Sequence, residues 1–434
     1  MAIKLEEVFG VRAKPVLSYI QRPDVDDRFV EGLKTDKQIV VYGASKQGKT
    51  SLVAKHLPYE SNIVVSITPK TQLTDIYSSI LRQVGVQVVS TVSESNERES
   101  SVGFGAKFKA FIPIFGGAEA STDGQVKAGN KVVTTYQEIA FNLELPQDIS
   151  ELLKKVGNKK SIILENFHYL GEERQRQFAF DLRTFQELGL RFVILGVWRE
   201  KNRLAQFNGD LLDRVLEVPV EPWKESDFFR VAAEGSKHLK VEFADYLLKK
   251  CAAVSFSSIG VFQEIIKETC IVSSIIESPP VTVRLENENH LDTAIRKKSD
   301  DYASRHQRAL EAVAAGNISS SGKDGVQPLF LPYYLVKILL DAGYDGVATG
   351  MRRAIIQERI QAMHHRPADV RGSDMSNLLH NLAALQNNKQ ISPPIFDYDQ
   401  TTKQLQVVDS TLYFFLKNAD LPKISGEIPN PLEK

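Results

Sequence analysis

Residues 43–50 read Gly43-Ala44-Ser45-Lys46-Gln47-Gly48-Lys49-Thr50, which places two glycines, a lysine and a hydroxyl at the G-x-x-x-x-G-K-[ST] spacing. That spacing suits one chemistry, the cradling of a polyphosphate. The glycines let successive backbone N–H groups turn inward, and a helix starting behind them adds its positive end. Lys49 is placed to reach the β- and γ-phosphates, and the Thr50 hydroxyl to hold Mg²⁺. Ser51 belongs to the same phosphate-binding set, while Lys46 is either one more phosphate contact or a solvated lysine. A nucleoside triphosphate is the expected ligand.

A second cluster is expected to complete the site. Ile162-Ile163-Leu164-Glu165-Asn166 is an apolar strand ending in a carboxylate, as a neighbouring strand of a phosphate loop should. Glu165 would help hold the metal. Asn166 stands where a second acidic residue normally polarises the attacking water, and an amide cannot take that proton, so hydrolysis should be slow. Glu165 acting as the base itself is the alternative. Arg199, after the strand Val193–Trp198, is either a γ-phosphate sensor or a surface arginine. Arg214 precedes the last strand and is a finger toward a neighbouring subunit, an internal sensor or an ordinary ion-paired arginine.

These residues need a scaffold, and the apolar pattern supplies one. Gln38–Tyr42 reads as a strand into the loop, and Thr50–Leu57 as a helix out of it. A helix over 23–34 precedes them. Asn62–Ile67 is a second strand and Gln72–Val84 an amphipathic helix. Ser161–Asn166, the helix Gly171–Leu188, the strand Arg191–Arg199 and Val215–Val220 continue the alternation. Strand and helix in turn predict an α/β fold with a parallel sheet between helical layers.

Residues 90–135 interrupt that order. Phe104 and Phe108 alternate with small or basic residues before Gly116-Gly117, so a β-hairpin insertion fits, contacting a partner, its own domain, or lipid or nucleic acid. The expected division is a core over 1–221, a helical lid over 222–278, a helical linker over 279–328 with a loop at Ser319–Gly325, and a C-terminal domain over 329–434. In that last part Leu331–Asp341, Met351–His364 and Met375–Asn388 read as helices, followed by strands around Gln400–Lys403, the order of a winged helix.

Composition excludes little. Lys+Arg and Asp+Glu balance at 54 each, so no global field points to nucleic acid or membrane. No run is apolar enough for a membrane span and the N-terminus does not resemble a signal peptide, so a cytoplasmic location is expected. Cys251 and Cys270 lack metal-ligand spacing and should be buried free thiols. His364, His365 and the other histidines show no ligand spacing either.

In this order the motifs resemble the prokaryotic AAA+/STAND-type P-loop ATPases, and also the replication-initiator ATPases. The similarity rests on Gly43–Thr50, Ile162–Asn166, Arg214 within Gly209–Arg214, and a lid followed by a winged helix. It implies binding of ATP with Mg²⁺, nucleotide-dependent switching, and assembly with further copies or a partner protein. A signalling or defence switch is one form of this, and a DNA-loading initiator the other. The presumed recognition helix, Ser373–Gln386, carries no Lys or Arg, which favours a regulatory winged helix over a base-reading one. Arg352, Arg353, Arg359, Arg366 and Arg371 remain for phosphate contacts.

Overall fold

Gln38–Tyr42 is buried along its whole length, and the fold is built outward from it. The computed structural model describes residues 2–12, 14–90, 107–113, 136–316 and 327–433. Up to residue 220 these form β1 (Gln38–Tyr42), β2 (Ile63–Ser66), β3 (Gln87–Ser90), β4 (Lys107–Pro113), β5 (Tyr136–Asn142), β6 (Ile162–Glu165), β7 (Phe192–Gly196) and β8 (Val215–Pro219). Five of them make one parallel sheet in the order β2-β6-β7-β1-β8.

A strand's side chains alternate between faces. Val40 and Tyr42 accordingly join one core, with the helices Leu73–Gln83, Pro146–Lys155 and Glu172–Glu187. Ile39 and Val41 join another, with Pro23–Leu33 and Lys49–His56. Helices on both faces are what an all-parallel sheet requires, since neither face can be left to water. Phe178, Phe185 and Phe192 are fully buried and contribute about 1.5–3 kcal/mol each.

The expected insertion is only partly within the described residues. Its strand β4 pairs antiparallel with β3 and β5, which makes a three-stranded sheet reaching beyond residues 90 and 135 on both sides. Ala110, Ile112 and Phe141 are buried against the main core, so the described part packs on its own domain. The Gly116-Gly117 turn and the Ser319–Gly325 loop lie outside the described residues.

Three helices follow the sheet: Glu225–Leu239, Asp245–Val254 and Ile259–Val272. The short parallel pair β9 (Val241–Phe243) and β10 (Val283–Leu285) joins them. Leu5, Val8 and Phe9 pack into this helical cluster. Gly235 makes that possible, since a Cβ there would fall 2.1 Å from the Phe9 ring. Cys251 and Cys270 are buried in the same cluster as free thiols.

The helix Glu288–Ala315 then runs 28 residues, about 42 Å, across the molecule. Beyond it come Leu331–Val347, β11 (Met351–Arg352), Arg353–Met363, Gly372–His380, Leu382–Asn388, β12 (Phe396–Asp399) and β13 (Gln404–Val407). The last two strands form a hairpin, with β11 on the outer edge of β13. The single helix expected over Met375–Asn388 is two helices meeting at Asn381. Ser410–Asn418 and Leu421–Glu427 close the chain. Among the described residues no helix is long and apolar enough to cross a membrane.

Candidate functional site

Parallel strands deliver their C-terminal ends to one edge, and the phosphate loop, Glu165 and Asn166 gather there. Tyr42 lies beside Gly196 and Pro219, and Ser66 beside Glu165. The strand carrying Glu165 is not the immediate neighbour of β1, because β7 runs between them. Glu165 nonetheless comes within reach of the loop.

The loop leaves β1 through Gly43, whose φ of 150° no larger residue adopts easily, and enters its helix through Gly48 at φ 86°. A Cβ on Gly43 would also lie 2.7 Å from Val220. The Lys49 amine donates to the Gly43 carbonyl at 2.9 Å and the Ala44 carbonyl at 2.6 Å. Burial lowers its pKa to about 8, with Glu221 and Glu165 acting in the opposite sense.

Thr50 Oγ1 donates to Glu165 Oε2 at 3.4 Å, and the Tyr59 hydroxyl donates to the other carboxylate oxygen. Burial pushes the Glu165 carboxyl up; Tyr59, Thr50 and Lys49 pull it down. A hydroxyl and a carboxylate this close fit a Mg²⁺ ion, a hard cation that keeps most of its waters and needs only one or two protein oxygens beside substrate phosphates. Among the described residues no cluster of three or more His, Cys, Asp or Glu offers a richer metal site.

Around these groups is a cavity of about 490 Å³. The loop from Ser45 to Ser51 lines it, together with Glu165 and Asn166. Ile259, Gly260 and Gln263 also line it, with an N-terminal strap of Gly10, Val11, Arg12, Lys14 and Val16. Gln263 and Glu264 pin that strap by accepting from the backbone N–H groups of Gly10 and Val11 at 3.1 and 2.8 Å. Volume, cations and loop suit a nucleotide.

Two of the candidate arginines lie outside this cavity. Arg199 is absent from this cavity's lining. It pairs with Glu221 at 3.0 Å and donates to the Tyr413 hydroxyl at 3.0 Å, on the wall of a second cavity behind the loop. Its link to the loop is indirect, since Glu221 also accepts from Ala44 N at 2.8 Å. Arg214 stands at the opposite end of the sheet, where its carbonyl accepts from Gln38 N at the start of β1. Its guanidinium donates to Gln186 at 2.6 Å and pairs with Glu187 at 3.1 Å, the ordinary ion-paired reading. Lys46 is held at φ 59°, and its amine lies 4.9 Å from the centre of the Tyr302 ring on the long helix.

Sequence reasoning missed the groups that grip the loop from outside. Val408 accepts from Ser45 N at 2.8 Å, Asp409 from Ser45 Oγ at 3.1 Å, and Ser410 donates to the Ser45 carbonyl at 3.0 Å. Gly260 N donates to the Lys46 carbonyl at 3.0 Å, and Trp223 to that of Gln47 at 3.3 Å. Asp409 is fully buried and pairs with Arg305 at 2.5 Å. Burial acts to raise its pKa, but Arg305, Lys46 and Thr411 help outweigh it and the carboxylate stays ionised. His168 was also missed, as the histidines lacked ligand spacing; it lines the cavity three residues beyond Glu165, the one signal that could have found it.

The loop, its helix, the parallel order β2-β6-β7-β1-β8 and the carboxylate across the site decide the architecture. The chain has a P-loop NTPase fold. No protein-family model matches it, and neither does any curated protein. Solved structures do. The Walker-type ATPase PABY2304 of Pyrococcus abyssi is 12% identical, with a TM-score of 0.48 over 94% of this chain and 99% of that one. The ORC1 protein of Aeropyrum pernix in complex with DNA is 13% identical, TM-score 0.39, over 94% of each chain. The RuvB Holliday junction branch migration motor of Thermotoga maritima is 11% identical, TM-score 0.38, over 92% of this chain and 96% of that one. None reaches a TM-score of 0.5, so the fold rests on the chain's own sheet order and loop.

Proposed function

We propose that this protein is an ATP-binding switch with slow, Mg²⁺-dependent hydrolysis, whose C-terminal segment holds the phosphate loop and is released or retained according to the nucleotide bound. The observation that carries this is the trio of bonds from Val408, Asp409 and Ser410 to Ser45, a residue inside the loop itself. A triphosphate drawing on the loop's N–H groups competes with partners that use them, so binding and release of the segment are coupled.

In this reading the loop's N–H groups and Lys49 bind the phosphate chain, and Thr50 with Glu165 holds the ion. Mg²⁺ when bound neutralises charge on the β- and γ-phosphates. Asn166 hydrogen-bonds a water without removing its proton, which keeps turnover slow. The chain divides as core 1–221, lid 222–278, linker 279–328 and a winged-helix-like unit 329–434. That unit acts as regulator, and the partner is a further copy or another protein.

A DNA-binding initiator is the second reading, and exposed Arg352, Arg359 and Arg371 favour it. Two of the other arginines are occupied: Arg353 donates to the Gly372 carbonyl and Ser376 Oγ, and Arg366 pairs with Asp369. The test is particle mass with ATP, ADP or neither, with and without duplex DNA at two salt concentrations. The switch reading expects the mass to depend on nucleotide and not on DNA. Salt-sensitive duplex binding with a nucleotide-independent mass would favour the initiator.

A further inference from the structure

Lys49, Thr50 and Glu165 each have a protein partner in the cavity wall. His168 does not. Neither Nδ1 nor Nε2 of its ring has a hydrogen-bond partner, and both atoms are shut off from solvent. An unmet buried donor or acceptor costs about 1–3 kcal/mol. Such an atom needs an explanation, and a ligand that meets it is one.

The backbone fixes where this residue stands. Asn166 adopts left-handed φ 60°, ψ 36°, and turns the chain sharply out of β6 into a single turn over Phe167–Tyr169. Phe167 anchors that turn, its ring centre 5.4 Å from Phe178 and 6.3 Å from Trp198. His168 is thereby set on the cavity wall beside Glu165 and Asn166, with neither ring nitrogen open to the space that the loop encloses. Burial, with Lys49 and Arg203 nearby, lowers its pKa to about 3, so the ring is neutral. A neutral imidazole has one N–H to give and one lone pair. Among cations that already attract an anion, it adds a directional donor with no charge of its own.

We infer that a bound triphosphate draws the His168 ring round until its N–H meets the terminal phosphate, and that this contact distinguishes a triphosphate from a diphosphate. This rests on the nucleotide site proposed above and supplies the contact that such a switch needs. A route onward is present. The His168 and Tyr169 ring centres lie 4.1 Å apart, the Tyr169 hydroxyl bonds Ser392, and Pro393 lines the same cavity. The ring that meets the phosphate is therefore linked, through Tyr169, to Ser392, three residues before Ile395, whose carbonyl accepts from Val408 N at 3.0 Å.

The experiment is calorimetric titration of the full chain with ADP and with a non-hydrolysable ATP analogue. His168→Phe keeps a ring and removes both nitrogens; His168→Gln keeps an N–H donor at comparable reach. A hydrogen bond to a charged group is worth about 1.5–3 kcal/mol, so the Phe variant should bind the analogue at least about tenfold more weakly. Its ADP affinity should stay within about twofold, and Gln should restore most of the loss. Removing two unmet nitrogens should leave the Phe variant's melting temperature no lower than wild type; if it fails to fold, His168→Ala takes its place with the same outcomes. An unchanged ratio of the two affinities, or an equal loss of both, overturns the role of His168 alone. Wild-type protein that binds neither nucleotide overturns the site and this role with it.

Discussion

Lys49 is the residue on which the phosphate chemistry converges, and its burial makes it measurable in two ways. Lys49→Met should abolish ATP binding in a calorimetric titration; an unchanged affinity would remove the site assignment. The second way is pH. With its pKa at about 8 in the fold against an ordinary 10.5, Lys49 has released a proton there that the unfolded chain still binds. Stability of the ligand-free protein therefore rises as pH climbs through that window. Lys49→Met lacks this contribution, so its melting temperature should fall behind wild type progressively between pH 8 and about 10. A constant difference across that range would contradict the buried, ionisable amine. Asn166 gives a separate test. Asn166→Asp adds a carboxylate where the water should stand and should raise ATP hydrolysis about tenfold or more; no rise would make Glu165 the base. These residues were legible because phosphate chemistry fixes both type and spacing. Arg199 and Arg214 were legible only as arginines, since the sequence carries no sign that Glu221, Tyr413, Gln186 and Glu187 would claim them.

At the scale of elements, the helix Ile259–Val272 presses closely on the loop. A Cβ on Gly260 would lie 2.5 Å from the Lys46 Cβ and 2.6 Å from its carbonyl oxygen, so even alanine must push the loop. Gly260→Val should cost about 1–3 kcal/mol, read as a lowered melting temperature. It should also speed the exchange of a fluorescent nucleotide. A variant with wild-type stability and exchange would mean that this helix does not bear on the loop. The strands and helices of the core were readable because buried parallel strands are short apolar runs and their helices show a 3.6-residue period. The loop's outside partners were not. The bond from Ser45 to Asp409 spans 364 positions and that from Ser410 to Ser45 spans 365, separations that no local pattern encodes. The split at Asn381 was hidden as well, because the apolar stripe Leu378, Leu379, Leu382, Leu385 runs through it unbroken.

For the whole molecule, one path joins the distant parts. The long helix brings Arg305 to Asp409, Asp409 reaches Ser45, and Ser45 lies in the loop that would hold the phosphates. A ligand shifts such an arrangement only by the difference in its affinity for the gripped and released forms. ATP and ADP must therefore differ in their effect on residues 408–411. Hydrogen exchange of the backbone amides there, followed in the full chain with a non-hydrolysable ATP analogue, with ADP and with neither, tests this most directly. Faster exchange with the analogue alone, abolished in Lys49→Met, is the predicted result. Identical exchange in all three states, with nucleotide bound, would contradict it.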